Sequence, residues 1–451
     1  MPLQRLFGLV CLIPFLIPVA ACWGGHQPEN EIARSLPVDS NLNIIVISFD
    51  ALRVDALGAY GNPSPVSPHM DAFAAQSLLF ENAYSAAQST PTSFAAAFTG
   101  KYPFEVFLGW TLADSVTLAG TLRESGYLTA GFFNNRQLDP ERKFDQGFDT
   151  YQVAFEPDEE KFLEEPLGWL RANKDERIFL WVHFISPHAP YEYREMAAQF
   201  YTPDFQGPFA DGSGPIADLG NNVTQVELNR LKELYAGEVF YADYLFKRMM
   251  DSLGEMGLLE KSLVVLTADH GEELLDHGVL FHNQVYEEII RVPLIIHHPA
   301  LKQGHRIAAP VINLDLFPTL TAVVGVDHPD DLDGVNLLGP VTEPRILIST
   351  AMTTGEYRSM SMRLGDYKLI VNCPRQNVEA RELYNLASDP EEREDLAQTR
   401  AAMTDSLAAI LKEITIYDPC RTISAANRGS SPTRNLSKKK IQQLKSLGYV
   451  R

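Results

Sequence analysis

Three polar clusters each stand just past an apolar, β-branched run. Asp50 ends Asn43–Phe49 (NIIVISF), Ser186-Pro187-His188-Ala189-Pro190-Tyr191 follows Ile178–Ile185 (IFLWVHFI), and Asp269-His270-Gly271-Glu272 follows Leu263–Thr267 (LVVLT) after one alanine. Carboxylates and imidazoles in this combination can hold a divalent cation or exchange a proton with a reacting group. Singly, each has a plainer reading, since an Asp past a strand commonly caps a turn and a lone His is more often structural than a ligand. Three at strand ends point to a site. A fourth segment, Ser89 to Gly100 (STPTSFAAAFTG), carries proline where a helix begins and glycine where it ends. With Pro91 as the first helical residue, Thr90 is the N-cap. Its hydroxyl would lie at the positive end of the helix dipole, where an alkoxide or a bound anion is stabilised, although the segment by itself also reads as an ordinary threonine cap.

These residues must be carried by elements that converge. The runs Asn43–Phe49, Leu128–Phe133, Ile178–Ile185, Leu263–Thr267 and Val292–His297 are apolar along their whole length, as befits strands covered on both faces. Helical patterns alternate with them, including Val116–Ser125 closed by Gly126 and Glu227–Met256 closed by Gly257. The alternation predicts an α/β fold with a doubly wound, largely parallel sheet, in which ligands bind beyond the carboxyl ends of the strands. Past Gly339 the runs shorten: Tyr367–Asn372 and Glu382–Asn385 read as strands and Glu392–Ile416 as amphipathic, giving a smaller C-terminal α+β subdomain over residues 340–451. A Ser/Arg/Asn/Gly-rich stretch, Thr422–Asn435, separates it from one more predicted helix, Ser437–Leu447.

The 451 residues are 45% apolar and carry 58 acidic against 38 basic side chains, a formal charge of −20. Such a charge opposes the counterion release on which nucleic-acid binding depends, so no nucleic-acid partner is expected. At the amino terminus Arg5 precedes an apolar run from Leu6 to Ala21, interrupted by Pro14 and Pro18 and ending in Val19-Ala20-Ala21-Cys22. This reads as an export signal over residues 1–22, followed by a polar tether at 23–41 and a catalytic domain at 42–339. V-A-A-C resembles a bacterial lipobox, which implies lipidation at Cys22 and an exported, membrane-anchored protein facing the periplasm or cell surface. Cys373 and Cys420 remain available to pair in that oxidising compartment.

The block Asp50-Ala51-Leu52-Arg53-Val54-Asp55-Ala56-Leu57-Gly58-Ala59-Tyr60-Gly61 resembles the opening block of sulfatases, members of the alkaline-phosphatase superfamily. Ser67-Pro68-His69-Met70-Asp71, Thr99-Gly100-Lys101-Tyr102-Pro103, Pro187–Tyr191, Asp269–Glu273 with His277-Gly278, and Tyr286-Glu287-Glu288 are similar to later family blocks in the same order. So are Arg291–Ile296, Asp315–Leu320, Asp333-Gly334, Glu382–Asn385 with Asp389–Glu392, and Leu447-Gly448-Tyr449. The resemblance implies an alkaline-phosphatase-like sheet and hydrolysis of sulfate esters at one divalent metal ion.

Two departures shape the expected chemistry. Family members oxidise a Cys or Ser in C/S-x-P-x-R to formylglycine, but no cysteine stands here. Counting back from Thr99-Gly100 puts Thr90 at the nucleophile and Phe94 at the arginine; aligning on Pro91 puts Ser89 and Ser93 there. Formylglycine is therefore not expected, and a direct hydroxyl at Thr90, with Ser89 second, is. The metal set also differs. Ala51 replaces the family's second Asp and His270 follows Asp269, so Asp50, Thr90, Asp269 and His270 would offer three oxygens and one nitrogen, shifting preference from Ca²⁺ towards Zn²⁺ or Mn²⁺. By resemblance, His188 and His282 assist the charged group and the leaving oxygen, with Lys101 and Arg53 as lesser anion contacts; for Arg53 a structural salt bridge is the stronger reading. The substrate class is a sulfated or phosphorylated small molecule, glycan or lipid head group. The same metal-site type occurs in phosphonate monoester hydrolases and phosphoethanolamine transferases, which keeps a phosphodiester or phosphonate hydrolase, a head-group transferase, and an inactive anion- or glycan-binding protein as alternatives.

Overall fold

The computed structural model describes residues 36–210, 223–339, 345–353, 356–373 and 379–415. The signal, Cys22, most of the tether, Cys420 and the segments after Thr415 lie outside them. Eight strands form the main sheet: β1 (Asn43–Asp50), β2 (Leu78–Phe80), β3 (Leu128–Phe133), β4 (Thr150–Val153), β5 (Ile178–Pro187), β6 (Ser262–Ala268), β7 (Leu294–His297) and β8 (His305–Ile307). Their order is β8-β2-β7-β6-β1-β5-β3-β4, and every neighbouring pair is parallel except the two that involve β7. The long apolar runs are thus the strands of the expected mixed, largely parallel sheet. The short β2, β4 and β8 are edge or near-edge pieces whose three or four residues give no readable period.

Strand parity decides which side chains meet. On β1, Ile44 and Val46 belong to one core and Ile45, Ile47 and Phe49 to the other; on β5, Phe179 and Trp181 join the first while Leu180, Val182 and Phe184 join the second. The first face carries α1 (Thr90–Thr99), α2 (Leu118–Glu124) and α5 (Leu316–Val323); the second carries α3 (Glu159–Asn173) and the 31-residue α4 (Gln225–Glu255). Helix α4 opens on a capping box between Thr224 and Glu227. In register, Ser48 of β1 stands beside His183 of β5, on the α1 face.

Four antiparallel strands, β9 (Ile346–Thr353), β10 (Glu356–Leu364), β11 (Tyr367–Asn372) and β12 (Ala380–Asn385), with α6 (Ala401–Thr415), form the C-terminal part. They share one core with α1, through Leu347, Ile348, Met360 and Leu369. The chain entering α1 is laid along β9: Thr350 N donates to Ala86 O at 3.0 Å and Gln88 N to Thr350 O at 3.1 Å. The smaller sheet therefore helps to place Thr90. Cys373, at the end of β11, is disulfide-bonded.

Candidate active site

Asp50, Asp269 and His270 come together at the carboxyl ends of β1 and β6, each 4% exposed or less. Asp269 Oδ1 accepts from His270 N at 2.8 Å and from Ala51 N at 3.2 Å. Ala51, in the place of the family's second Asp, takes a left-handed φ of 59° that turns its amide towards Asp269. His270 Nδ1 lies 2.8 Å from Gly271 O, which fixes the proton on that nitrogen and leaves Nε2 with a lone pair. Nε2 then faces Asp50 Oδ1 at 3.5 Å and Asp269 Oδ2 at 3.6 Å.

Of the buried side-chain atoms without a hydrogen-bond partner among the described residues, four belong to this cluster or border it: Asp50 Oδ1, Asp269 Oδ2, His270 Nε2 and, from the middle of β5, His183 Nε2. Burying two carboxylates so close is unfavourable unless a cation compensates them. Burial and the charge of Asp50 raise the Asp269 carboxyl above its usual range. Burial would raise Asp50 too, but the neighbouring imidazoles, His188 foremost, hold it well below that range. The donor set and its spacing fit a divalent metal ion, since atoms bonded to one ion at about 2.0–2.2 Å stand a little over 3 Å apart.

Thr90 reaches this cluster from α1. The sequence places it at the N-cap; the first helical hydrogen bond, Ser93 N to Ser89 O at 2.9 Å, instead makes Ser89 the cap and Thr90 the first helical residue. The Thr90 hydroxyl, fully buried, donates to Asp50 Oδ2 at 3.3 Å. Ser89 is turned away, its Oγ 2.8 Å from Thr92 Oγ1. Neither counterpart of the family arginine supplies a cation: Ser93 donates to the Asp269 backbone at 2.7 Å, and the Phe94 ring stands edge-on to His183 with centroids 4.8 Å apart.

His188 and His282 meet above the cluster, Nε2 to Nε2 at 3.1 Å. Their outer nitrogens point at carbonyls, His188 Nδ1 at Ala189 O (2.6 Å) and His282 Nδ1 at Gln88 O (3.0 Å). Three hydrogen bonds to two rings require three protons, one imidazolium in the pair. Burial works against it, but Asp50 and Glu272 raise His188, whereas burial and the other imidazoles push His282 well below the ordinary value. Both directions favour His188 over His282 as the ring that carries the additional proton. Its loop is pinned by buried Glu159, which accepts from Ile185 N and Ser186 N, and by Glu238, which accepts from Glu192 N at 2.7 Å.

Two expected contacts are not made. Lys101 lies past the far end of α1, about 15 Å along a ten-residue helix from Thr90, and pairs with Asp331. Arg53 is spent on Asp55 and Asp276, both at 2.7 Å, and on Glu272 O; it braces loops rather than facing the cluster. Two other residues escape sequence reasoning. Asn135, just past β3, donates through Nδ2 to Asp50 Oδ2 at 2.6 Å and approaches Thr90 Oγ1 at 3.3 Å. It obeys the same strand-end rule that singled out Asp50. His183 is concealed inside an apolar run, where parity with Trp181 was the available signal.

Residues 42–326 match the family described as Sulfatase, and the chain belongs to that family. It is similar to an ulvan-active sulfatase of Formosa agariphila, 27% identical over 71% of this chain and 70% of that protein. It is also similar to an arylsulfatase of Clostridium perfringens, 24% identical over 67% and 78%. A protein solved in complex with its substrate D-glucosamine-2-N,6-O-disulfate shares the fold with a TM-score of 0.70 at 19% identity, covering 85% of this chain and all of that one. The phosphonate monoester hydrolase of Agrobacterium radiobacter does so with 0.69 at 21% identity, over 82% and 95%. The chain is thus a hydrolase of the sulfatase family.

Proposed function

We propose that this enzyme is a metal-dependent sulfuric ester hydrolase whose nucleophile is the unmodified Thr90 hydroxyl. The observation that carries the reading is Thr90 Oγ1 placed 3.3 Å from Asp50 Oδ2, at the edge of the buried cluster of unpaired ligand atoms. A divalent ion held by Asp50, Asp269 and His270 would withdraw charge from the ester oxygens. Thr90 Oγ1 forms a bond to sulfur while its proton leaves along the hydrogen bond to Asp50. The ester S–O bond breaks, and the departing oxygen takes a proton from His188 Nε2. Water then attacks the threonine ester, giving one proton to His188. The S–Oγ1 bond breaks and Oγ1 recovers the proton held at Asp50. Asn135 keeps Asp50 and Thr90 aligned.

The substrate class we favour is a sulfated glycan or a small sulfated molecule. The plain hydroxyl nucleophile supports a second reading on phosphoryl esters, because neither Ser93 nor Phe94 supplies the arginine that accompanies formylglycine. Measuring kcat/KM of the metal-loaded enzyme on matched aryl sulfate, phosphate diester and phosphonate substrates decides between them. The proposal expects the sulfate to be preferred; preference for a phosphoryl substrate selects the second reading, and tight anion binding without turnover of any ester overturns both. His188→Gln should cost roughly 10² to 10⁴-fold on esters with poor leaving groups and much less on aryl esters, because only the former need a proton from the acid.

We also propose that the enzyme is exported and anchored by lipid at Cys22. Among the described residues no helix is long and apolar enough to cross a membrane. Cys22→Ser should abolish lipid labelling and release the protein from the membrane fraction; unchanged labelling would exclude the anchor.

A further inference from the structure

The fourth unpaired atom, His183 Nε2, has no place in the metal set read from the sequence. It is fully buried, 3.5 Å from Asp50 Oδ2 and 4.0 Å from Asp269 Oδ2. His270 Nε2 stands 3.5 Å from the other Asp50 oxygen, Oδ1, and 3.6 Å from Asp269 Oδ2, so the two imidazoles face opposite oxygens of Asp50 and share Asp269 Oδ2, His183 from slightly farther away. Asp50, Asp269 and His270 form the compact ligand group, and His183 Nε2 borders it on the side of Asp50 Oδ2; donors bonded to one ion at about 2.0–2.2 Å stand roughly 3.3–3.6 Å apart, a spacing that the His183–Asp50 pair meets and the His183–Asp269 pair exceeds.

The other side of the ring is already arranged. His183 Nδ1 lies 3.0 Å from Ser48 Oγ, its cross-strand neighbour on β1. Trp181 Nε1, which can only donate, points at the same oxygen at 2.9 Å, and Val182 O accepts from the Ser48 hydroxyl at 3.3 Å. With the serine proton directed to Val182, the free lone pair of Oγ accepts Nδ1–H of His183. That tautomer leaves Nε2 with its lone pair towards Asp50 and Asp269, as the Gly271 carbonyl does for His270. Phe94, edge-on to the ring, limits its rotation. In the opposite tautomer, Nε2–H would have Asp50 Oδ2 at 3.5 Å as its nearest partner, too long for a good hydrogen bond.

A second cluster shows the contrast. Glu273, His277 and Glu288 also lie close together. There, His277 Nδ1 is 2.6 Å from Glu288 Oε1 and Nε2 is 3.2 Å from Glu392 O, so both nitrogens face acceptors and no lone pair is left for a cation.

We propose that His183 is a direct ligand of the metal ion, which makes the centre a two-imidazole, two-carboxylate set of His183, His270, Asp50 and Asp269. This rests on the reading that the cluster binds a metal at all. Two nitrogen donors favour a borderline ion of the Zn²⁺ class over the hard Ca²⁺ that an all-oxygen site selects. The side chains are supplied by three neighbouring strands or their ends, β5, β1 and β6, so the site is built on the rigid middle of the sheet.

The test is metal binding to purified full-length protein, read without turnover. Zn²⁺ competition against a chelating dye should show one tight site in the wild type, weakened at least roughly 100-fold in His183→Ala and His183→Gln. Ser48→Ala, which removes the partner of His183 Nδ1 together with the acceptor of Trp181 Nε1 but leaves the imidazole in place, should fall in the 10 to 100-fold range typical of groups behind a ligand. Ca²⁺ binding should change far less. In Co²⁺-loaded protein, the exchangeable, strongly shifted imidazole N–H proton resonances should number two in the wild type and one in His183→Gln. This count does not respond to a loss of packing alone. Wild-type Zn²⁺ affinity in His183→Gln together with loss in Asp269→Ala would overturn the His183 assignment and leave the metal centre standing. Failure of the wild type to bind Zn²⁺, Mn²⁺ or Ca²⁺ would overturn the centre itself.

Discussion

Thr90→Ala should abolish turnover, with kcat lowered by roughly 10⁵-fold or more, while Ser89→Ala stays within about tenfold of the wild type. The difference follows from direction. Thr90 Oγ1 points at Asp50 from the first turn of α1, whereas Ser89 Oγ is engaged with Thr92 Oγ1 on a partly exposed edge. Removing a nucleophile while leaving the rest of the site intact typically costs 10⁴ to 10⁶-fold, about 5–8 kcal/mol of transition-state stabilisation. Thr90→Ser keeps the hydroxyl and should retain part of the activity, lowered by the freedom of an unbranched side chain to leave the Asp50 rotamer. Steady-state kinetics on the three variants checks the ranking. A dead Ser89→Ala beside an active Thr90→Ala would reverse the assignment.

The second large effect is at the proposed metal ligands. Asp269→Ala and His270→Ala should each lower bound metal and activity together, the latter by about 10³-fold or more, because ligands of one ion act as a unit. Stability should separate the two states of the protein. Burial and the Asp50 charge raise the Asp269 carboxyl, so above its ordinary titration range the ionised form opposes folding when no cation compensates it. Metal-free Asp269→Asn should therefore melt above the metal-free wild type at neutral pH. Adding metal should raise the wild-type Tm, by about 2.7 kcal/mol of stabilisation at a hundredfold excess over Kd, and leave the variant nearly unmoved. Equal metal content in Asp269→Ala, His270→Ala and wild type would contradict the assignment.

The parts of this molecule legible in its sequence are those governed by local physics. Continuous apolar runs revealed the central strands, because a strand covered on both faces needs apolar residues at both parities, and the polar residues just past them revealed Asp50, Asp269, His270 and His188. Thr90 was legible from Pro91 and Gly100, although the helix begins one residue earlier than the proline implies. Long-range pairing was not legible. Lys101 follows the helix that carries Thr90, yet ten helical residues carry it to the opposite end, where Asp331 takes its charge. Arg53 sits three residues from Asp50 but turns towards Asp55 and Asp276. His183 reads as one polar letter in an apolar strand until the β1–β5 register sets it beside Ser48 and the unpaired carboxylates.

The proposed reaction turns on an unmodified threonine becoming covalently esterified. Peptide mapping by mass spectrometry of metal-loaded enzyme, quenched in acid while turning over a saturating aryl ester, reads that state directly. The predicted result is one transferred sulfuryl or phosphoryl group on Thr90, with every other residue of the Ser89–Thr99 peptide unmodified before substrate is added. A transferred group on Ser89, or an aldehyde at residue 89 in the enzyme before substrate, would contradict it.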